Sequence, residues 1–314
     1  MKTRLIVNPV SGTDTAPDYL PVMNELLRGA FGDVDISMTT AAGDALHLAQ
    51  RAAREGCARI LVAGGDGTLN EALNGVASVE GALARTTFGI IPLGTGNDFA
   101  AALGLPEDVE GAVEVLLGGR ELAVDVGVLN ERYFVNVSAG GFIAEVSGAV
   151  DPQLKSWAGK FAYIIGGAQV LLNYEPVRAR VRAEDGQGRP FERDTAIEMF
   201  AVCNSRLVGG GQPIAPHAVI DDGLLDVCLV EDMTTLDFIG LLSSVPGGSH
   251  IEDERVEYLR ARALDIEFDR EIKVNTDGEV METRRCRYSV LPRAARFLAG
   301  DAPFAAEQGG GPRD

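Results

Sequence analysis

The chain is 314 residues long, which at roughly 150 residues per domain predicts about two domains. Hydrophobic residues make up 46% and charged residues 24%, the usage of an ordinary globular protein, so a wholly disordered, coiled-coil or fibrous chain is excluded. Acidic residues outnumber basic ones 46 to 28 for a formal net charge of −18, a field that repels polyanions and excludes nucleic acid as the default partner.

Residues 1–9 hold only Leu5, Ile6 and Val7 as an apolar run before Asn8 and Pro9. That is too short for a signal peptide and reads as a first strand over residues 4–7. A helix is predicted over residues 18–30 and an alternating strand over 34–38. Gly43 and Asp44 then open a helix with Leu46, Leu48, Ala49, Ala52 and Ala53 on its apolar side, and Gly56 stops it. Residues 60–63 form a continuous apolar run of the kind buried on both faces, followed by Gly64-Gly65-Asp66-Gly67-Thr68 and a helix over 69–76. Residues 88–92 repeat the arrangement, leading into Leu93-Gly94-Thr95-Gly96-Asn97-Asp98 and a helix over 99–103. This alternation predicts an α/β fold whose N-terminal domain, residues 1–122, is a three-layer, Rossmann-like unit with a parallel sheet.

Beyond Leu122 the texture changes to strands at 123–129, 133–138, 177–183 and 196–203, with a hairpin turn at 184–188. A helix at 234–245 is stopped by Pro246, and further strands follow at 264–268, 272–275 and 280–283. Residues 123–304 therefore read as a mainly antiparallel β-sandwich domain whose last segment is free to return to the first, and residues 305–314 as a disordered tail. Cys57, Cys203, Cys228 and Cys286 include no CxxC pair, and with three histidines they assemble no zinc spacing, so buried thiols in reducing cytoplasm are expected. The most apolar stretch, residues 161–172, falls short of the ~20 residues that span a bilayer.

The chemistry is expected at the two glycine-bearing turns, which sit where parallel strands end and open α/β sheets bind ligands. Glycine lets backbone amides approach phosphate oxygens, and the following helix N-terminus adds positive potential. Asp66 and Asp98 in these turns suit holding Mg²⁺ or its waters against those phosphates. Glycines after a strand and Asn or Asp before a helix are equally ordinary turn and capping residues. No GxxxxGK[ST] and no GxGxxG occurs, which removes the P-loop and dinucleotide signatures.

Gly64-Gly65-Asp66-Gly67-Thr68-Leu69-Asn70-Glu71 with Asn74-Gly75, followed by Pro92-Leu93-Gly94-Thr95-Gly96-Asn97-Asp98-Phe99-Ala100, resembles the catalytic domain of diacylglycerol kinases and the soluble bacterial lipid kinases. Asn8-Pro9-Val10-Ser11-Gly12 matches as well, as does Gly209-Gly210-Gly211-Gln212-Pro213-Ile214-Ala215-Pro216 running into Asp221-Asp222-Gly223-Leu224-Leu225-Asp226. The resemblance implies ATP as phosphoryl donor, touching Asn8, Thr39, Gly65, Asp66, Gly67, Thr68, Leu69, Asn70, Glu71 and Thr95, with Asp98 in the second turn. It implies Mg²⁺ held by the Asp222 carboxylate with the backbone carbonyls of Val219 and Leu224. It also implies a catalytic base in the turn Asp277-Gly278-Glu279, either Asp277 or Glu279. A lipid hydroxyl must lose a proton as it attacks the γ-phosphoryl group, and a carboxylate within reach accepts it. An Asp-Gly hairpin turn also occurs without chemistry.

Two departures stand out: Thr13 and Asp14 follow the first Ser-Gly, and Ala101 follows Asn-Asp-Phe-Ala, where relatives often carry basic residues. Lys155 and Lys160 beside Trp157 resemble a basic, aromatic segment able to meet a phosphate or a bilayer interface, or are solvated lysines beside a core tryptophan. The expectation is a cytoplasmic, peripherally membrane-associated lipid kinase acting on a lipid alcohol through transient membrane contact, with a homodimer admitted. The alternatives are an NAD kinase and a nucleotide- or lipid-binding regulator without turnover.

Overall fold

The structure is a computed structural model and describes residues 1–12, 16–118, 120–149 and 174–306. The first half runs β1 (Thr3–Val7), α1 (Ala16–Phe31), β2 (Val34–Met38), α2 (Asp44–Arg54), β3 (Arg59–Gly64), α3 (Asp66–Ala77), α4 (Ala82–Arg85), β4 (Thr87–Pro92), α5 (Asp98–Ala102) and α6 (Val109–Gly118). Its strands are parallel and lie in the order β4-β3-β1-β2. Residues Leu5 to Val7 and Ile60 to Ala63 are fully buried, as strands covered by helices on both faces must be. The chain leaves β1 toward β2 and leaves β3 toward β4, in opposite directions, so the carboxyl ends of β1 and β3 flank the switch point of the sheet.

On α2 the core face is Ala45, Ala49, Ala52 and Ala53, whereas Leu46 and Leu48, expected on that face, are only partly buried. The reason is how closely α2 packs on α3: a Cβ added to Gly75 would lie 2.2 Å from the Leu46 carbonyl oxygen. Only small side chains fit such a contact.

The second half comprises β5 (Glu121–Leu129), β6 (Arg132–Phe134), β7 (Val137–Gly141), α7 (Phe142–Ala149), β8 (Val177–Asp185), β9 (Pro190–Cys203), β10 (Leu207–Val208), β11 (Gln212–Pro213), β12 (Leu225–Glu231), α8 (Thr235–Ser244), β13 (Val256–Thr276) and β14 (Glu279–Leu298). Its ladders are antiparallel. β7, β8 and β12 each pair with both β9 and β13, which closes the sandwich around Val181, Phe200, Val227, Ile266 and Val274. Thr234 caps α8, accepting from the Asp237 amide at 3.2 Å, and Phe238 and Leu241 turn inward from this helix.

The strands expected at 264–268 and 272–275 are one 21-residue strand, β13, with a register shift between Glu267 and Ile272. A bulge carries one strand through a local interruption that a periodicity reading takes for an end. Conversely, the strand expected at 133–138 is broken into β6 and β7, for a reason seen at the site. Of the expected tail, Ala306 is held by the Asp221 carboxylate through its amide at 2.6 Å, and residues 307–314 lie outside the described residues.

β14 belongs to both halves. It pairs with β13 and β5, and near its end it pairs in parallel with β4 through Arg296–Thr87 and Phe297–Phe88. One 12-stranded sheet therefore runs through the described residues. Phe297 stacks on Phe88 and meets Phe99 edge-on, each at 5.2 Å, so the last strand plugs the core of the first half. All four cysteines are free and buried. No helix among the described residues is long and apolar enough to cross a membrane.

Candidate active site

Three loops meet at the carboxyl ends of β1, β3 and β4. The Asn8 amide donates to the Ala63 carbonyl at 2.9 Å, and its side-chain Nδ2 donates to Thr68 Oγ1 at 3.0 Å. The Thr39 amide donates to the Val7 carbonyl at 2.9 Å, which sets Thr39 beside Asn8. A Cβ on Gly94 would stand 2.6 Å from the Gly65 Cα, so the two glycine loops touch backbone to backbone. α3 opens on extended Gly65 with no side-chain cap. Its first-turn amides are therefore left for a ligand, the arrangement that holds phosphate. Thr95 is exposed on the neighbouring loop.

The acidic residues of these loops accept hydrogen bonds from backbone amides of neighbouring segments. Asp66 Oδ2 accepts from the Asp98 amide at 3.2 Å and Oδ1 from the Phe99 amide at 3.3 Å, capping α5 from a different loop. Burial, and then the nearby Asp98 and Asp277 carboxylates, push Asp66 up to about 6. Asp98 accepts from the Gly210 and Gly211 amides at 3.0 and 2.7 Å, clasping the glycine-rich loop of the second half. Both carboxylates are thus engaged by backbone amides. Glu71 likewise accepts from the Gly43 and Ala45 amides at 2.9 and 3.1 Å and caps α2, while Leu69 is core. The loop-facing members of the set are Asn8, Thr39, Gly65, Gly67, Thr68 and Thr95.

Asp277 explains the broken strand. It is buried, with φ +46°, and its Oδ2 accepts from the Val135 and Asn136 amides at 2.9 and 3.2 Å and its Oδ1 from Val137 at 2.7 Å. Residues 135 and 136 turn their amides to this carboxylate instead of continuing the ladder, and Val137 adds its own amide as β7 begins. Asn70 of α3 adds a fourth donor at 3.3 Å and also donates to the Tyr133 carbonyl. Burial raises the Asp277 carboxyl above its ordinary range against the pull of these donors. Glu279 is partly exposed and pairs with Arg132, a residue the motifs do not flag. The β5–β6 hairpin that carries Arg132 is legible, but a partner 147 residues away is not. Gly278, at φ +96°, lies over Gly67: a Cβ there would be 3.7 Å from the Gly67 Cα. The Asp277–Glu279 turn therefore sits against the open end of α3.

Asp222 lies in the second half at a cavity of about 470 Å³ lined by Asp221, Gly223, Arg262, Val290, Pro292 and Arg293. Its Oδ1 accepts from the Leu224 amide at 3.0 Å, and its Oδ2 is held by Arg260. A carboxylate with two carbonyl oxygens is a hard donor set suited to Mg²⁺. In this structure the Asp222 carboxylate is paired with the Arg260 guanidinium, and Arg262 and Arg293 line the same cavity. No group of three or more His, Cys, Asp or Glu able to hold a metal occurs among the described residues. Lys155, Trp157 and Lys160 lie outside the described residues.

Residues 2–129 match the diacylglycerol kinase catalytic domain, and residues 136–299 match the YegS C-terminal NAD kinase beta sandwich-like domain. The chain is 33% identical over 279 residues to a diacylglycerol kinase of Bacillus subtilis (strain 168), covering 88% of this chain and 89% of that one. It is 34% identical over 278 residues to a diacylglycerol kinase of Staphylococcus carnosus (strain TM300), covering 88% of each. A diacylglycerol kinase structure from Bacillus anthracis str. Sterne superposes with a TM-score of 0.73 at 26% identity, over 96% of this chain and 97% of that one. Match over both halves, with the site motifs in place, shows that the chain belongs to the diacylglycerol kinase family of lipid kinases.

Proposed function

We propose that the enzyme transfers the γ-phosphoryl group of ATP to the hydroxyl of a lipid alcohol such as diacylglycerol, with Glu279 as the proton acceptor. The observation that carries this reading is the approach of Gly278 to Gly67, which brings the carboxylate turn against the uncapped end of α3. The triphosphate lies along the amides at Gly65, Gly67 and Thr68, with Asn8, Thr39 and Thr95 at the rim. Asp277 has its oxygens engaged by four donors and orients the turn. Glu279, partly exposed beside Arg132, keeps room to accept the proton of an attacking hydroxyl. Asp98 ties the loop after β4 to the glycine-rich loop of the second half, so the nucleotide and the acceptor meet at a fixed geometry. When bound at Val219, Asp222 and Leu224, Mg²⁺ supplies a fixed positive charge that steadies this acidic loop. A cytoplasmic enzyme of this kind takes its substrate at the membrane surface, and one chain contains the whole site whether it works alone or as a homodimer.

The test is γ-labelled ATP and Mg²⁺ with total lipid extract in one reaction and NAD in another. Label in an organic-extractable product that Glu279→Gln abolishes supports the proposal, and mass spectrometry of that product names the acceptor. Label in NADP alone makes the enzyme an NAD kinase and overturns it.

A further inference from the structure

The β10–β11 hairpin turns through Gly209, Gly210 and Gly211, which lie at φ +65°, +83° and +99°. Glycines carry no side chain to pack, so such a tip keeps its shape only through what grips it. Asp98 grips it from the first half, through the Gly210 and Gly211 amides. The tip is thereby seated on the second glycine turn: a Cβ on Gly96 would stand 3.7 Å from the Gly210 nitrogen, and one on Gly210 would stand 3.9 Å from the Thr95 carbonyl oxygen.

The root of the same hairpin is held by a residue outside the motifs. His250, in the short helical turn Ser249–Glu252, is 1% exposed, and its Nε2 lies 3.0 Å from the Ile214 carbonyl oxygen. A carbonyl only accepts, so Nε2 carries the ring proton and donates, and Nδ1 keeps a bare lone pair. Burial pulls the imidazole below its ordinary pKa, which favours this neutral form. Nδ1 is buried and has no hydrogen-bond partner. An unpaired buried nitrogen is destabilising where an apolar side chain would pack, so packing does not account for a histidine here. What the histidine supplies is the bond made by Nε2.

We infer that His250 is a positioning residue for phosphoryl transfer: by fixing the Ile214 carbonyl at the root of the hairpin, it holds Gly210 and Gly211 where Asp98 receives them and so steadies the Thr95–Gly96 turn that meets the nucleotide. The inference rests on the proposed location of the nucleotide at that turn. His250 itself touches no substrate; its effect passes through the hairpin and Asp98.

In the ¹⁵N-labelled full chain the His250 ring is expected as the Nε2–H tautomer, and the Nδ1–H tautomer overturns the inference without any variant. A glutamine side chain places its Nε2 where His250 carries its own, whereas asparagine falls a bond short, so the two amides separate the bond from mere polarity. His250→Asn is expected to speed hydrogen exchange at the Gly210 and Gly211 amides roughly fivefold, as loss of one hydrogen bond does, and to weaken ATP binding in calorimetry by a similar factor. The amides of Val202 and Val227, paired in the core of the sandwich, are expected to keep their protection. His250→Gln is expected to restore both readouts to within about twofold of the parent. In an Asp98→Asn background, where the clasp is already weakened, His250→Asn is expected to change ATP affinity by less than about twofold further. Loss of protection at Val202 and Val227 together with the glycines overturns the inference, because a merely structural histidine behaves that way. Unchanged exchange at Gly210 and Gly211 overturns it and leaves the nucleotide location standing. Faster exchange at the two glycines with ATP affinity unchanged overturns the nucleotide location and the inference with it.

Discussion

Asp277 and Glu279 flank one glycine and live in opposite surroundings, so conservative amides at the two positions separate architecture from chemistry. Asp277→Asn leaves one acceptor oxygen where two oxygens received three backbone amides, and turns an NH₂ toward them. Loss of about 1–3 kcal/mol of stability is expected in urea denaturation. Glu279→Gln removes only a partly exposed ion pair, so stability changes by less than about 1 kcal/mol. Its turnover falls roughly 10²-fold or more if Glu279 takes the proton. Asp66 gives the pH prediction. Its folded carboxyl is raised from 3.8 to about 6, so the folded state holds the proton more tightly than the unfolded chain. That preference is fully present below the unfolded value and is lost as pH rises through about 6. Asp66→Asn is expected to remove this part of the decline, read by comparing urea midpoints at pH 4.5 and 6.5 in the two proteins.

At the scale of elements, the loops after β3 and β4 work because neither has a side chain where they touch. Gly94→Ala places a methyl 2.6 Å from the Gly65 Cα. Separating the loops is expected to cost about 1–3 kcal/mol in thermal melts and to weaken ATP binding in calorimetry. The parallel half was legible because its signals are local: a two-sided apolar run such as residues 60–63 followed at once by glycines. The Asp277–Glu279 turn was legible as a turn for the same reason. What escaped was set at a distance. The interruption at Val135 and Asn136 is imposed by a carboxylate 141 or more residues away, and no periodicity near 135 announces it. The roles of Asp66, Glu71 and Asp98 escaped similarly, since a residue that caps another helix looks in sequence like a residue of its own loop. β13 was read as two strands because its register shift at Glu267 to Ile272 imitates a pair of ends.

Across the whole molecule, the two halves share one sheet and are locked by Phe297 and Asp98. Phe297→Ala empties the space between Phe88 and Phe99. The expected loss is about 3–5 kcal/mol. Because β14 is common to both halves, scanning calorimetry is expected to show one transition moved down as a unit, and two separated peaks would contradict the shared sheet. The same strand has a consequence for biosynthesis. β1 to β4 leave the ribosome early, yet the outer edge of β4 receives its partner only from residues 296 and 297, in the last strand of the sheet. For most of translation the nascent chain carries an unpaired parallel edge, a template for strands of other chains. A product truncated before that point keeps its glycine-turn motifs and still has an exposed edge beside them, so Arg296 and Phe297 protect a strand made some two hundred residues before them.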